Sequence, residues 1–429
     1  MNKKRICLIT NWYPTKENPY AGLFFKEQAF ATEEYLDYLV VHYQERRKCL
    51  LLSYLVRRLL KTDVLIRKDN EEKNTQEYTI TVWCPVYLAL CDLVYRLIWQ
   101  FGGTTVRNYL HRHIANPYTT WKKKKFGRIF CSQFEEPFDV LYCVDAQQES
   151  SMLRMVSEIR GVPYIVSEHA PFPWPGTIVK PDEKEAIADA DLFLAISYDK
   201  IRQVMLQDIK LKKIAYVGNL VDDSQFRLAH GESDEKTFIM VAASSFYKNY
   251  DLFYRVFERL TEITETPFKV IIVGYGANKG YSQNAHGIER AAQESSFAKY
   301  AELIPEIAHE CIHELYQRAD AFVMTSIQEG QPVSALEAAC CGLPIFSTIC
   351  GGVEDYVTED IGRLYKMEDV ERFANGLKDF VEGRLTFDSV HIRETTVAQY
   401  GKTAFVNNFV GAVMDILTCD SDTRIKRER

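Results

Sequence analysis

Glu329 and Glu337 stand eight positions apart in EGQPVSALEAACCGLP, on either side of a proline. A carboxylate accepts paired hydrogen bonds from vicinal hydroxyls, which ribose and pyranose rings both offer. One glutamate before a helix start and one about 7 Å along it could touch two parts of one extended ligand. Pro332 suits the first helical position, where no N–H is needed, and Gly342 followed by Pro344 supplies a stop. A helix beginning there, next to Gly330 and Gln331, leaves the amides of Val333 and Ser334 free to hold an anion such as a diphosphate. Lys248, in SSFYKNYD, follows a strand-like run, where a loop lysine taken alone reads as a solvated charge. Gly22 closes the loop Asn18 to Gly22, where a missing Cβ lets backbone approach a ligand. His169 follows the run Tyr164 to Ser167, at the sheet edge where α/β folds collect ligands. Spacing alone describes equally well a loop glutamate with a salt-bridged helix glutamate, a solvated lysine, a turn glycine and a core histidine.

These residues need a scaffold, and the chain alternates short apolar runs with amphipathic stretches almost throughout, the pattern of an α/β protein with parallel sheets. In the first half, strands are predicted at Ile6 to Thr10, Val140 to Tyr142, Tyr164 to Ser167, Leu192 to Ile196 and Ile214 to Val217. Helices are predicted at Phe25 to Tyr38, Ser151 to Ile159 and Tyr198 to Leu206. In the second half, strands are expected at Phe238 to Ala242, Val270 to Val273, Ala321 to Thr325 and Ile345 to Ser347. Two sheets fit better than one. The polar stretch Asp222 to Lys236 reads as the linker, giving domains 1–220 and 221–400. Residues 401–429 are expected to form a helix returning to the N-terminal domain, with a polar tail. Segment 41–130 interrupts the alternation and reads as an insertion.

A length of 429 residues with 47% hydrophobic and 26% charged residues fits a two-domain globular protein and argues against a disordered or membrane-spanning chain. No long uncharged apolar stretch occurs and the start resembles no signal peptide, so a cytoplasmic protein is expected. Eleven cysteines without a CxxC pair or Cys/His cluster at zinc spacing suggest neither disulfides nor a metal site. Adjacent Cys340 and Cys341 read as small buried residues. Charge is uneven: residues 1–220 hold 31 Lys or Arg against 26 Asp or Glu, and residues 221–429 hold 21 against 33. Segment 41–130 alone has 17 against 7.

The stretch EGQPVSALEAACCGLP, followed by Gly351-Gly352-Val353, resembles the Glu-x7-Glu signature of retaining glycosyltransferase family 4. IMVAASSFYKNYDLF is similar to that family's first C-terminal strand and lysine loop, VIIVGYG to its second strand and glycine turn, and ELYQRADAFVMTS to the helix and strand before the signature. The N-terminal half is similar more loosely, through NWYPTKENPYAGLFFKEQ, SEHAPF and YVGNLVDDSQF. The resemblance implies a GT-B fold, two Rossmann-like doubly wound domains facing each other across a cleft. It implies a nucleoside diphosphate sugar, UDP- or GDP-linked, as donor, with no metal and no further cofactor. Glu337 would hold the ribose hydroxyls, and Glu329 the transferred sugar. The backbone at Gly330, Gln331, Pro332, Val333 and Ser334 would meet sugar and phosphate, Lys248 and the Gly22 loop the diphosphate, and His169 the sugar. The catalytic set is then His169, Lys248 and Glu329. The family often carries an arginine five residues before the lysine; here that position is Ala243, leaving Arg202 or Lys279 as replacement cations.

The expected activity is transfer to a glycan or lipid-linked glycan in cell-surface polysaccharide or glycoconjugate synthesis. A nucleotide-sugar epimerase and a non-catalytic nucleotide-sugar-binding protein are the alternatives. Residues 84–126 mix aromatic bulk with Arg, His and four consecutive lysines, which suits an anionic membrane surface at the inner face of the plasma membrane. An ordinary pair of helices with a solvated lysine turn reads as well. No nucleic-acid-binding motif accompanies the charge.

Overall fold

The computed structural model describes residues 3–14, 22–49, 51–60, 64–72, 74–85, 116–174, 177–228, 235–276 and 285–425. Runs such as VLYC, YIVS, LFLA and AFVM are buried at every position. Such strands are stable only with helices on both faces, which dictates the layering. The N-terminal domain contains β1 (Lys4–Thr10), α1 (Leu23–Ala31), β2 (Leu36–Cys49), α2 (Leu51–Leu59), β3 (Val64–Glu72), β4 (Thr75–Pro85) and α3 (Asn116–Gln133). It continues with β5 (Val140–Cys143), α4 (Ala146–Arg160), β6 (Tyr164–Ser167), α5 (Pro181–Asp189), β7 (Leu192–Ala195), α6 (Tyr198–Met205) and β8 (Ile214–Tyr216). Its eight strands run in the order β3-β4-β2-β1-β5-β6-β7-β8, parallel except for the edge strand β3.

The C-terminal domain comprises β9 (Lys236–Val241), α7 (Tyr250–Ile263), β10 (Phe268–Val273), α8 (Ala285–Glu294), β11 (Ala301–Ile304), α9 (Ile312–Tyr316) and β12 (Ala321–Met324). Then follow α10 (Val333–Cys340), β13 (Ile345–Thr348), β14 (Gly362–Tyr365), α11 (Val370–Val381), α12 (Ser389–Tyr400) and α13 (Lys402–Ile425). Its six strands are all parallel, in the order β11-β10-β9-β12-β13-β14. The chain crosses between domains twice. Val221 donates its amide to Tyr400 O at 2.9 Å where the two crossings meet. Past Gly401, α13 lays Phe405, Phe409 and Val413 against Ile6, Val140 and Tyr142 of the N-terminal sheet.

Three expectations need correction. The helix predicted over Phe25 to Tyr38 ends at Ala31, where the Thr32 hydroxyl donates to Gln28 O at 2.9 Å. LDYLVVHY then continues as strand β2, because pairing with β1 on one side and β4 on the other satisfies the backbone of this buried run as sheet. Segment 41–130 is not wholly an insertion: β2 and β4 pair in parallel and extend the central sheet from β1. Finally, the lysine run is not simply a solvated turn. Lys123 on α3 is buried, donating to Glu183 Oε1 at 2.8 Å and to Gln147 O at 3.2 Å. Most of the basic aromatic stretch 84–126, namely residues 86–115, lies outside the described residues. Cys340 and Cys341 are buried, as read from the sequence, and burial pushes the Cys340 thiol up to about 12.

Candidate active site

The C-terminal edge of β12 opens into the loop that carries Glu329, and neighbouring turns hold that loop in place. Ile327 donates its amide to Tyr247 O at 2.7 Å, and Glu329 donates its own to Cys350 O at 2.8 Å. The Thr325 hydroxyl reaches Lys248 O and Asn249 O, both at 3.1 Å. These bonds bring the 3-10 turn Phe246–Lys248 alongside the loop, so that Lys248 Nζ sits 2.7 Å from Glu329 Oε1. Two residues 81 positions apart thus form one cation-carboxylate unit. Pro332 is the N-cap of α10 instead of its first helical residue, and Val333 and Ser334 open the helix. The eight-residue α10 ends before Gly342, whose φ of +81° marks the reversal.

The N-terminal domain closes on this loop. A Cβ at Gly330 would lie 2.7 Å from His169 O and 3.3 Å from Lys200 Cε, so the close approach of the domains requires glycine here. His169 is half-buried against the paired rings of Phe24 and Phe25, with Nε2 3.1 Å from Ser167 Oγ. Its buried Nδ1 has no hydrogen-bond partner among the described residues. Burial first, and Lys200 second, drive its pKa down to about 3, so the ring is neutral near pH 7. Gly22, with φ +63°, caps the start of α1; residues 18–21 of its loop lie outside the described residues. Gln331 turns its side chain to the interdomain crossing, accepting from Asn219 N and donating to Tyr216 OH at 3.2 Å. It is a strut between domains.

Glu337 occupies the other end of α10's first turns and is buried. Its Oε1 lies 2.8 Å from His309 Nε2, and its Oε2 accepts from Tyr316 OH at 2.9 Å. His309 Nδ1 in turn lies 3.2 Å from Glu27 Oε1 on α1, so the chain Glu27-His309-Glu337 spans the two domains. Burial would lower the pKa of His309, but its two carboxylate partners hold it up at about 10, and both ring nitrogens donate. Beside this chain lies a cavity of about 380 Å³, lined by Tyr13, Lys26 and Glu27 from one domain and Val333, His309 and Glu337 from the other. The pKa of His309 is raised from 6.5, so the stability its charge contributes is complete below about pH 6.5 and is lost as pH rises through about 10. The melting-temperature gap between wild type and His309→Gln should therefore shrink across that window. A gap that stays constant up to about pH 11 would contradict the charged bridge.

The sequence did not single out His309, Tyr316, Glu27 or Lys200. Lys200 follows β7 and is fully buried, its Nζ donating to Ala170 O and, at 3.0 Å, to Gln203 Oε1. Burial lowers its pKa while Glu168, Asp199 and Glu329 oppose that shift. The strand-end rule that pointed to His169 could have found Lys200 as well. No local signal marks the other three, which meet Glu337 only through the tertiary fold. Arg202, named as a replacement cation for the arginine absent at Ala243, is exposed and paired with Asp199. Lys279 lies outside the described residues. Among the described residues, no cluster of three or more His, Cys, Asp or Glu side chains is placed to hold a metal ion.

Similarity to known proteins is concentrated in the half that carries this loop. Residues 222–398 match the family described as Glycosyl transferases group 1. The chain has a GT-B fold, and the part that this family model matches is its C-terminal domain. That domain contains Lys248, Glu329 and Glu337. Over 179 residues the chain is 24% identical to a phosphatidylinositol N-acetylglucosaminyltransferase component of Arabidopsis thaliana, covering 41% of this chain and 38% of that one. Over 206 residues it is 24% identical to D-inositol 3-phosphate glycosyltransferase of Mycobacterium bovis, covering 46% and 42%. The match thus spans about two fifths of each curated relative. Across both domains, the fold is similar to an alpha,alpha-trehalose-phosphate synthase (UDP-forming) from Burkholderia xenovorans, with TM-score 0.71, 14% identity, and coverage of 96% and 99%.

Proposed function

We propose that this chain is a retaining glycosyltransferase of the family 4 type, which moves a sugar from a nucleoside diphosphate sugar to a glycan or lipid-linked acceptor. The observation that carries this reading is the 2.7 Å pair between Lys248 and Glu329, set at the start of α10 and opposite His169. In this reading Glu329 accepts from sugar hydroxyls, while Lys248 and the amides of Val333 and Ser334 meet the diphosphate. Gly330, Gln331 and Pro332 contribute backbone beside the sugar, and the Gly22 loop covers the phosphates. Neutral His169 offers its unpaired Nδ1 to a hydroxyl of the transferred sugar. Glu337 receives the ribose.

Retention follows if the leaving phosphate oxygen takes the acceptor's proton. The bond from the anomeric carbon to the diphosphate oxygen breaks, the acceptor oxygen bonds to that carbon on the same face, and the hydroxyl proton passes to the departing diphosphate. Charge develops on the leaving group, so fixed cations and N–H dipoles stabilise the transition state more than the ground state. No carboxylate is required as nucleophile, which leaves Glu329 as a sugar-binding group.

The UDP-forming activity in the name of the Burkholderia protein favours UDP over GDP as the first donor to test. The inositol-based names of the two curated relatives put inositol phosphates and inositol lipids in the acceptor panel. A cytoplasmic site at the inner face of the plasma membrane belongs to the same reading. The test is thermal stabilisation of the chain by UDP, GDP and their common sugars, followed by transfer assays with the stabilising donor. Glu329→Ala should impair transfer more than nucleotide binding; equal loss of both would remove its sugar-facing role. Donor stabilisation that survives both Lys248→Ala and Glu337→Ala would remove the site. Ala243 favours a second reading, a nucleotide-sugar-binding protein without turnover, and donor binding without transfer across the panel would select it.

A further inference from the structure

We infer that helix α2 is a docking element that seats the N-terminal domain on the surface of an anionic lipid bilayer. Leu52, Leu55, Val56 and Leu59 recur at spacings of three and four, which places them on one face of the helix. In a globular domain such a stripe faces the core. Here it faces solvent: Leu52 is 75% exposed, Leu59 82% and the following Leu60 68%, with Leu55 and Val56 each at 46%. The helix is held to the sheet from its polar side, where the Arg57 guanidinium stands 5.0 Å from the centre of the Trp83 ring on β4. Leu65 on the edge strand β3 is also half exposed. An outward apolar face of this extent marks an interaction surface.

Charge selects the partner. Residues 46–61, RRKCLLLSYLVRRLLK, hold six Lys or Arg and no Asp or Glu. A short helix with leucines on one face and exposed Arg58 beside them, in a segment of net positive charge, matches an element lying in a membrane interface, where the leucines enter the acyl boundary and the positive charge favours phosphate headgroups. A second copy of the chain fits less well. A two-fold contact through α2 would bring both sets of cations together, and like charges at a self-complementary interface oppose association. No described helix is long and apolar enough to cross a membrane, so contact through α2 would be peripheral.

This inference stands apart from the donor-sugar reading, because vesicle binding is measured without substrate. The full chain is floated with phosphatidylcholine vesicles that either lack or contain phosphatidylglycerol. Binding should require phosphatidylglycerol and weaken with added salt, since exposed charges are screened. Each cation near such a surface changes partitioning by about fivefold, so Arg58→Glu should weaken binding at least about tenfold. Leu55→Asp should do the same by placing a charge in the apolar stripe. Both side chains are exposed, so melting curves and UDP stabilisation should match wild type; if Leu55→Asp alters melting, Leu59→Asp replaces it. The inference is overturned if wild type stays with the soluble fraction, binds neutral and anionic vesicles alike, or loses nothing in the variants. Self-association abolished by Leu55→Asp, without vesicle binding, would overturn it too and give the face to a second copy.

Discussion

Lys248→Ala is expected to lower kcat for sugar transfer by roughly 10²–10³-fold, the usual effect of removing one preorganised group that meets developing negative charge. The load on this lysine is heavy because the position of a second cation holds Ala243, and Arg202 is exposed and committed to Asp199. Buried Lys200 lies near Glu329 on the opposite wall, yet its Nζ already serves Ala170 and Gln203. Nucleotide affinity should fall less than kcat, since the ribose and base contacts remain. Melting temperature should change little: the Lys248 and Glu329 side chains keep 25% and 13% of their exposure, and partly solvated pairs contribute little to stability. Lys248→Arg should recover part of the rate. Steady-state kinetics on both variants check this, and a Lys248→Ala enzyme within tenfold of wild type would take the lysine out of the transition state.

Glu337→Ala should act on binding and stability together. Each hydrogen bond to a charged acceptor contributes about 1.5–3 kcal/mol, so nucleotide affinity should drop roughly ten- to hundred-fold. Glu337 also accepts from charged, half-buried His309 and from buried Tyr316, and leaving such donors without their acceptor typically destabilises by about 1–3 kcal/mol. Titration calorimetry with UDP and thermal melts should report both losses. Glu337→Gln separates them: it can still bond Tyr316, so it should regain part of the stability but little affinity. Retained UDP affinity in both variants would mean that the ribose binds elsewhere. In the structure both oxygens of Glu337 are engaged, by His309 and Tyr316. A carboxylate has about four acceptor positions, so ribose hydroxyls can join Tyr316 while His309 turns toward Glu27.

The parts of the fold read correctly from the sequence are those where the local pattern and the tertiary environment agree. Tyr164–Ser167 is a strand because four apolar or small residues in a row suit burial on both faces, and the sheet supplies that burial. The strand, loop and helix from Ala321 to Cys340 were legible for the same reason, with a proline to start the helix and a glycine to stop it. β2 to β4 were missed because charged residues break their alternation. Their place in the sheet comes from pairing with distant strands, β2 on β1, β4 on β2 and the edge strand β3 on β4.

For the candidate site, the sequence by itself determined the chemical types and their local order: Glu329 before a helix, Glu337 within it, Lys248 after β9 and His169 after β6. Tertiary packing decided what they face. Lys248 meets Glu329 across 81 positions, and Glu337 meets His309, Tyr316 and, through His309, Glu27 in the other domain. Periodicity likewise gives α2 an apolar face without saying where that face points; its seat on Trp83 turns the face outward. The physical reason is common to all three. Local patterns set backbone conformation through short-range sterics and hydrogen bonding, whereas ion pairs, burial and exposure depend on which distant segments the two sheets bring together.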